Sequence, residues 1–178
     1  KALVNDMYAK DISIKITTVK RSKQDKGLFI GGKAPYGYIK SSENKNKLEI
    51  DENAARIVRY IFSLALEGKS CRQIAVILND EKIPTPAQYS NLKLPKHKGP
   101  YTGKWSSERV TWMLKNEVYI GSMVQGRMQK VNYKVKKCRH MPREDWKVVE
   151  NTHPPIIDKV TFQKANMLIE SRTKTRCR

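Results

Sequence analysis

The sequence predicts an α+β fold: a mainly helical, helix-turn-helix-like core with a small antiparallel β-sheet, preceded by a long helix. Three observations predict it. Apolar residues recur at helical spacing over about 52–67, 70–80 and 106–115 and again after 158, each block opening on a capping residue. Short apolar runs bounded by polar turns lie at 36–50 and 119–149. The chain begins with a longer periodic block, in which Val4, Tyr8, Ile12, Ile16 and Val19 share one spacing, with Leu3 and Met7 alongside.

In the first block Ile12-Ser13-Ile14-Lys15-Ile16 also alternates like a strand, but the longer period over 2–20 favours a helix. Lys20, Arg21, Lys23 and Lys26 follow, then Gly27 and Gly31-Gly32, which predicts an extended basic arm leaving the helix or a solvated linker. Tyr36–Lys40 and Lys47–Ile50 flank a polar turn and predict a hairpin. Asp51 caps a helix over about 52–67, where Ile57, Ile61 and Leu64 share a face with Val58, Phe62 and Ala65. Gly68 stops it.

Ser70-x-x-Gln73 is a capping box opening the helix over 70–80, with Ile74, Ile77 and Leu78 inward. Ile83-Pro84-Thr85-Pro86 bars its continuation. A loop over 87–104, rich in Lys, Pro and Gly, leads to a third helix capped by Ser106 or Ser107 and reaching about Lys115. Val110, Met113 and Leu114 face inward there, with Trp112 packing at the edge. Tyr119 to Val124, or on to Val131, reads as a strand, 129–143 as a loop or hairpin tip, and Trp146–Val149 as the return strand. Asp158 caps the last helix, which carries Val160, Phe162, Ala165, Leu168 and Ile169.

Charge points to the partner. Lys and Arg total 36 against 17 Asp and Glu, a net +19 over 178 residues. Residues 51–90 hold five of each sign, whereas 91–140 hold twelve bases and two acids, and 1–50 eleven and five. A neutral helical scaffold beside cationic segments fits a polyanion, and double-stranded DNA leads because Lys and Arg neutralise phosphates and release counterions. An RNA binder would stack bases on sheet aromatics, yet the aromatics here fall mostly at core-like spacings. No apolar run approaches the ~20 residues of a membrane span, so no membrane partner is expected.

Catalysis has few foundations. Gly-x-Ser-x-Gly, P-loop and His-Glu-x-x-His patterns are absent. Cys71, Cys138 and Cys177 are widely spaced, and His97, His140 and His153 have no Cys or carboxylate at ligand spacing. The sequence therefore predicts no metal or cofactor and a reducing, cytoplasmic setting. His140-Met141-Pro142-Arg143 has the His-x-x-Arg spacing that tyrosine recombinases place on a helix, but Pro142 opposes that helix.

The candidate DNA contacts fall in three groups. Lys20, Arg21, Lys23, Lys26 and Lys33 lie on the arm. Lys98 and Lys104 lie in the cationic loop, and Arg127 and Lys130 further along the chain. Ser106, Ser107, Arg109 and Lys115 lie on the third helix, where short hydroxyls at an N-terminus suit phosphate and Arg suits guanine edges.

An ordered series of residues is more specific. It runs Gly31-Gly32-Lys33-Ala34-Pro35-Tyr36-Gly37-Tyr38, Leu48-x-Ile50-Asp51, Ala55-x-Ile57-Val58-x-x-Ile61-Phe62 and Gly68-x-Ser70. It continues with Ile74-Ala75-x-x-Leu78-Asn79, Pro84-Thr85-Pro86, Trp105, Val110, Leu114-x-Asn116 and Tyr119-x-Gly121. The series resembles the recombinase domain of large serine recombinases, the phage-integrase and mobile-element transposase group.

The resemblance implies a sequence-specific duplex-DNA-binding module that positions a separate Ser-nucleophile domain on attachment or transposon-end sites for integration and excision. That nucleophile forms a transient 5′-phosphoserine link. Residues 1–26 look like the end of the catalytic domain's linker helix with a basic arm, 27–171 like the DNA-binding domain, and 172–178 like the start of a linker to a zinc ribbon. The chain is thus expected to be a fragment that is not itself an enzyme, with double-stranded DNA and other recombinase subunits as partners. By analogy with simpler serine recombinases, the long helix crosses the minor groove, the arm tracks it, and the third helix enters the adjacent major groove.

Overall fold

Side chains that accept the first free amides set where these helices begin, and the apolar stripe of each decides what it packs against. The computed structural model describes residues 2–90, 103–135 and 137–176. Its elements are α1 Ala2–Asp25, β1 Tyr38–Lys40, β2 Leu48–Ile50, α2 Glu52–Leu66, α3 Cys71–Asp80, α4 Pro86–Tyr89 and α5 Ser107–Leu114. They continue with β3 Met123–Gln125, β4 Met128–Lys130, β5 Cys138–His140, β6 Lys147–Val149 and α6 Lys159–Arg176. The mainly helical α+β class is as expected, with the strands in antiparallel pairs. The chain divides into two compact units, 1–50 with 117–155, and 51–116 with 156–178.

The second of these units is the helical one. Asp51 accepts the amides of Asn53 and Ala54 at 3.2 and 3.5 Å and starts α2. Val58, Ile61, Phe62 and Ala65 on α2 are buried, and Phe62 meets Phe162 of α6 at 6.1 Å between ring centroids. Ser70 and Gln73 form the capping box of α3. Asn79 at the end of α3 accepts the Trp105 amide at 2.8 Å and donates to the Trp105 carbonyl at 3.1 Å. That pair pins the chain just ahead of α5, where Ser106 is the N-cap.

Pro86 does more than bar a helix. It occupies the first turn of α4, where its missing amide costs nothing, with Thr85 and Gln88 as a capping box. Asp158 accepts the Thr161 amide at 2.8 Å and opens α6, as expected.

The other unit builds on three hairpin-like pairs: β1 with β2, β3 with β6, and β4 with β5. Tyr38 is its hub. Its hydroxyl donates to the carbonyls of Val118 and Pro154 at 3.1 and 3.0 Å, and its ring meets His153 edge-on at 4.9 Å. His153 is itself buried, with Nε2 2.7 Å from the Val118 carbonyl and Nδ1 2.8 Å from the Thr152 hydroxyl. Burial lowers its pKa, which keeps the ring neutral and structural.

Three local expectations change. The α1 helix continues to Asp25, so Lys20, Arg21 and Lys23 are helical rather than part of an extended arm. Lys, Arg and Gln are good helix formers, and the helix stops only at Gly27, whose φ of 66° is left-handed. The strand expected from Tyr119 begins later, because Glu117–Ile120 is a 3-10 turn. A strand would send Val118 and Tyr119 to opposite faces, whereas the turn buries both. The third, a loop or hairpin tip over 129–143, sharpens to the hairpin: β4 and β5 pair, Met128 opposite His140 and Lys130 opposite Cys138.

Candidate nucleic-acid interface

In the unit containing α1, the β4–β5 hairpin folds back along that helix. Asp6 accepts hydrogen bonds from the Lys134 ammonium and the Tyr133 hydroxyl, both at 3.0 Å. These two donors, Lys134 first, hold the Asp6 carboxyl below its usual range. Lys147 pairs with Asp25 at 2.9 Å at the other end of the helix. A groove of about 830 Å³ lies between, lined by Lys20, Arg21 and Lys130 together with Ile12, Ile16 and Met128. Three of the nominated bases thus meet in one groove, although Lys130 is far from the other two in sequence.

The remaining nominated bases of this unit do not join them. Lys23 is half-buried, its ammonium 3.4 Å from the Asn46 side-chain oxygen. Lys26 and Lys33 are exposed beyond the helix. Arg127 is half-buried with its guanidinium 4.8 Å above the Trp146 ring, which Arg143 also approaches at 5.4 Å. Stacking of this kind fixes the direction of a guanidinium without neutralising it.

In the helical unit, α5 buries Val110, Met113 and Leu114. Ser106 accepts the Arg109 amide at 3.4 Å, and Ser107 donates to a Glu108 carboxylate oxygen at 3.1 Å. Both nominated hydroxyls are therefore engaged within the chain, Ser106 as the cap and Ser107 on Glu108. The helix's own amide at Glu108, then Ser106 and Ser107, hold the Glu108 carboxyl below its usual range. Lys104 and Lys115 are exposed and Arg109 is half-buried at the flank. Lys98, with the rest of 91–102, lies outside the described residues.

Sequence reasoning passed over Glu108 and misplaced Trp112. Trp112 is 54% exposed rather than packed at an edge. The spacing of Val110, Met113 and Leu114 held the needed signal, since it sets Glu108, Trp112 and Lys115 on the opposite side of the helix.

Among the described residues the ion pairs are Lys15–Asp11, Arg59–Glu52, Lys134–Asp6, Arg143–Glu117 and Lys147–Asp25. None includes a nominated base. Among the same residues no His, Cys, Asp or Glu cluster is placed to hold a metal ion, and no helix is long and apolar enough to cross a membrane.

Known proteins with related features fit this arrangement. The profile of the family described as Recombinase matches residues 52–172. A chain in the crystal structure of an LSR–DNA complex superposes with a TM-score of 0.54 at 18% identity, covering 90% of this chain and 39% of that one. A second, solved in work on the sequence requirements of the attP site of a Listeria innocua prophage, gives 0.50 at 20% identity, covering 88% and 51%. These likenesses establish a shared fold, and this chain spans at most about half the length of either relative. With the family profile matched over most of its length, the chain belongs to the recombinase-domain family of large serine recombinases.

Proposed function

We propose that this chain is the sequence-specific duplex-DNA-binding module of a site-specific large serine recombinase. In this reading it holds a separate Ser-nucleophile domain in register on attachment or transposon-end sites, and binds without cutting. Residues 27–171 are the DNA-binding domain, 1–26 the end of the linker helix with its bases, and 172–178 the start of the connection to a zinc ribbon. Other recombinase subunits complete the assembly, in the cytoplasm of the host cell.

The observation that carries the reading is the pairing pattern of the cations. Among the described residues, acids partner Lys15, Arg59, Lys134, Arg143 and Lys147, while no nominated base among them forms an ion pair. One relative of like fold is solved as an LSR–DNA complex, which supports duplex DNA as that ligand.

The division of labour follows. Lys20 and Arg21 on the last turns of α1 meet phosphates as the helix crosses the minor groove, with Lys23, Lys26 and Lys33 extending the track. Lys98, Lys104, Lys115, Arg127 and Lys130 add backbone contacts. The α5 helix enters the adjacent major groove, where Arg109 reaches a guanine edge. Positioning is the contribution to chemistry: a bound module converts attack on the scissile phosphate by the separate serine into a near-intramolecular step.

Salt titration of duplex binding, read by fluorescence anisotropy, tests this. Changing Lys20 and Arg21 to Ala should weaken binding about equally on selected and random duplex, with the log–log salt slope falling by ~0.9 for each phosphate left without its cation. Arg109→Ala should cost ~1–3 kcal/mol, mainly on the selected site. Failure of the chain to bind duplex in dilute buffer, or preferential competition by RNA, rejects the reading.

A further inference from the structure

We infer that the outward face of α5 reads pyrimidines, with Trp112 packing on the C5-methyl of thymine and Glu108 accepting from the N4 amino group of cytosine. The inference rests on the duplex-DNA reading above and names the base chemistry that this helix selects.

Two tryptophans bracket the argument. Trp105, just before α5, is 4% exposed and donates its indole N–H to the Ile83 carbonyl at 2.9 Å. Trp112, one residue before the buried Met113–Leu114 pair, is 54% exposed. The first is a structural anchor. The second leaves a large apolar ring in water on a helix whose other side already supplies its packing, so folding alone gives no reason for it.

Shape and charge identify the occupant. An α-helix with its side chains is about 10–12 Å across, close to the width of the major groove, so α5 can lie along it. Lys115 and Lys104 are exposed, and Arg109 stands at the flank, so the face is cationic at its rim. The major groove offers one kind of apolar projection, the thymine methyl, and Trp112 is the apolar side chain on the exposed side of α5 able to meet it.

Glu108 sits four residues before Trp112, on the same face, about 6 Å nearer the N-terminus. An ionised carboxylate can only accept, so it repels phosphate and guanine O6 and N7, and favours a donor edge. Cytosine presents its amino group, whereas adenine sets an N7 acceptor beside its own. The helix's own amide, Ser106 and Ser107 hold the carboxylate in place, and its roughly four lone-pair sites leave room for one further donor from a base. At about 3.4 Å per base step, the two contacts fall about two base pairs apart.

The test begins with the full chain selecting its site from a duplex library with a randomised core. Each thymine of the selected site is then replaced singly by uracil, which removes only the methyl group. One replacement should weaken binding about fourfold, the worth of one buried methyl group. Trp112→Ala should bind the thymine and uracil duplexes equally.

Glu108→Gln should reselect adenine where the unaltered chain selects cytosine, because Gln pairs with adenine N6 and N7 together. Insensitivity to uracil at every position overturns the inference. So does a Trp112→Ala loss that is equal on selected and random duplex, or one that changes only self-association and leaves DNA affinity intact. If salt-dependent duplex binding survives those failures, the DNA-binding function still stands; if the unaltered chain binds no duplex, both fall.

Discussion

Helices α1 and α2 both show apolar residues at helical spacing, yet one leaves them in water and the other buries them. In α2, Val58, Ile61 and Phe62 are at most 1% exposed, covered from α3 and α6. In α1, Val4, Met7, Tyr8, Ile12, Ile14, Ile16 and Val19 are all more than half exposed. The contrast does not lie in the spacing. Val4, Met7 and Tyr8 repeat the i, i+3, i+4 spacing of Val58, Ile61 and Phe62, so the difference lies in what stands against each face: α3 and α6 pack on α2, whereas α1 meets chiefly β6. What holds α1 within its unit is largely polar: Asp6 with Tyr133 and Lys134, and Asp25 with Lys147. Spacing declares that a stripe exists; its neighbours decide whether the stripe is core.

The strongest way to break that comparison is to truncate both helices. Phe62→Ala should cost ~3–5 kcal/mol, the transfer free energy of the ring plus the cavity it leaves. Met7→Ala, at a side chain 71% exposed, should stay within ~0.5 kcal/mol. Denaturant melts of both variants, followed by circular dichroism, give the two numbers. Comparable losses would mean that the α1 stripe is covered in solution, and the contrast would fail.

A middle-sized effect is expected where α1 ends. Gly27 has φ 66°, and a Cβ there would stand 2.5 Å from Thr152 Cγ2 and 2.8 Å from Val149 Cγ1. Both neighbours are β-branched and stiff at χ1, so the contact has little room to relax. Gly27→Ala should therefore cost ~1–3 kcal/mol. Hydrogen exchange should locate the loss in α1 and β6 and leave α2 and α3 protected. A loss spread evenly over both units would show that they unfold together.

These elements also show which parts the sequence makes legible. Asp51, Ser70, Ser106 and Asp158 announce helix starts correctly because each cap is a bond to an amide two or three residues away. The β1–β2 hairpin is legible for the same local reason. The 3-10 turn over Glu117–Ile120 is not, because what bends it is burial of Val118 and Tyr119 together around Tyr38, a contact across about eighty residues. The groove shared by Lys20, Arg21 and Lys130 depends on the hairpin folding along α1, and no local pattern encodes that. Glu108 and Trp112 are legible too, since the spacing that buries Val110, Met113 and Leu114 sets them on the opposite side of α5.

The smallest expected effect sharpens the comparison, since it probes the polar tether directly. The Asp6 carboxyl is held below its ordinary value by Lys134 and Tyr133, so its contribution is present above the ordinary carboxylate pKa of about 3.9 and fades as pH falls through the lowered value. Lys134 is raised by the same partner, so its contribution is present below about pH 10.4 and fades as pH rises through the higher value. The tether should thus be tight across the neutral range and loosen at both extremes. Nuclear magnetic resonance of the Tyr133 ring should show an acid inflection below the ordinary carboxylate range, and Asp6→Asn should abolish it. Because both side chains are largely solvated, global stability should barely move. An unchanged Tyr133 titration in Asp6→Asn would mean that apolar packing, and not this carboxylate, keeps the hairpin against α1, and the two helices would then be alike in what holds them.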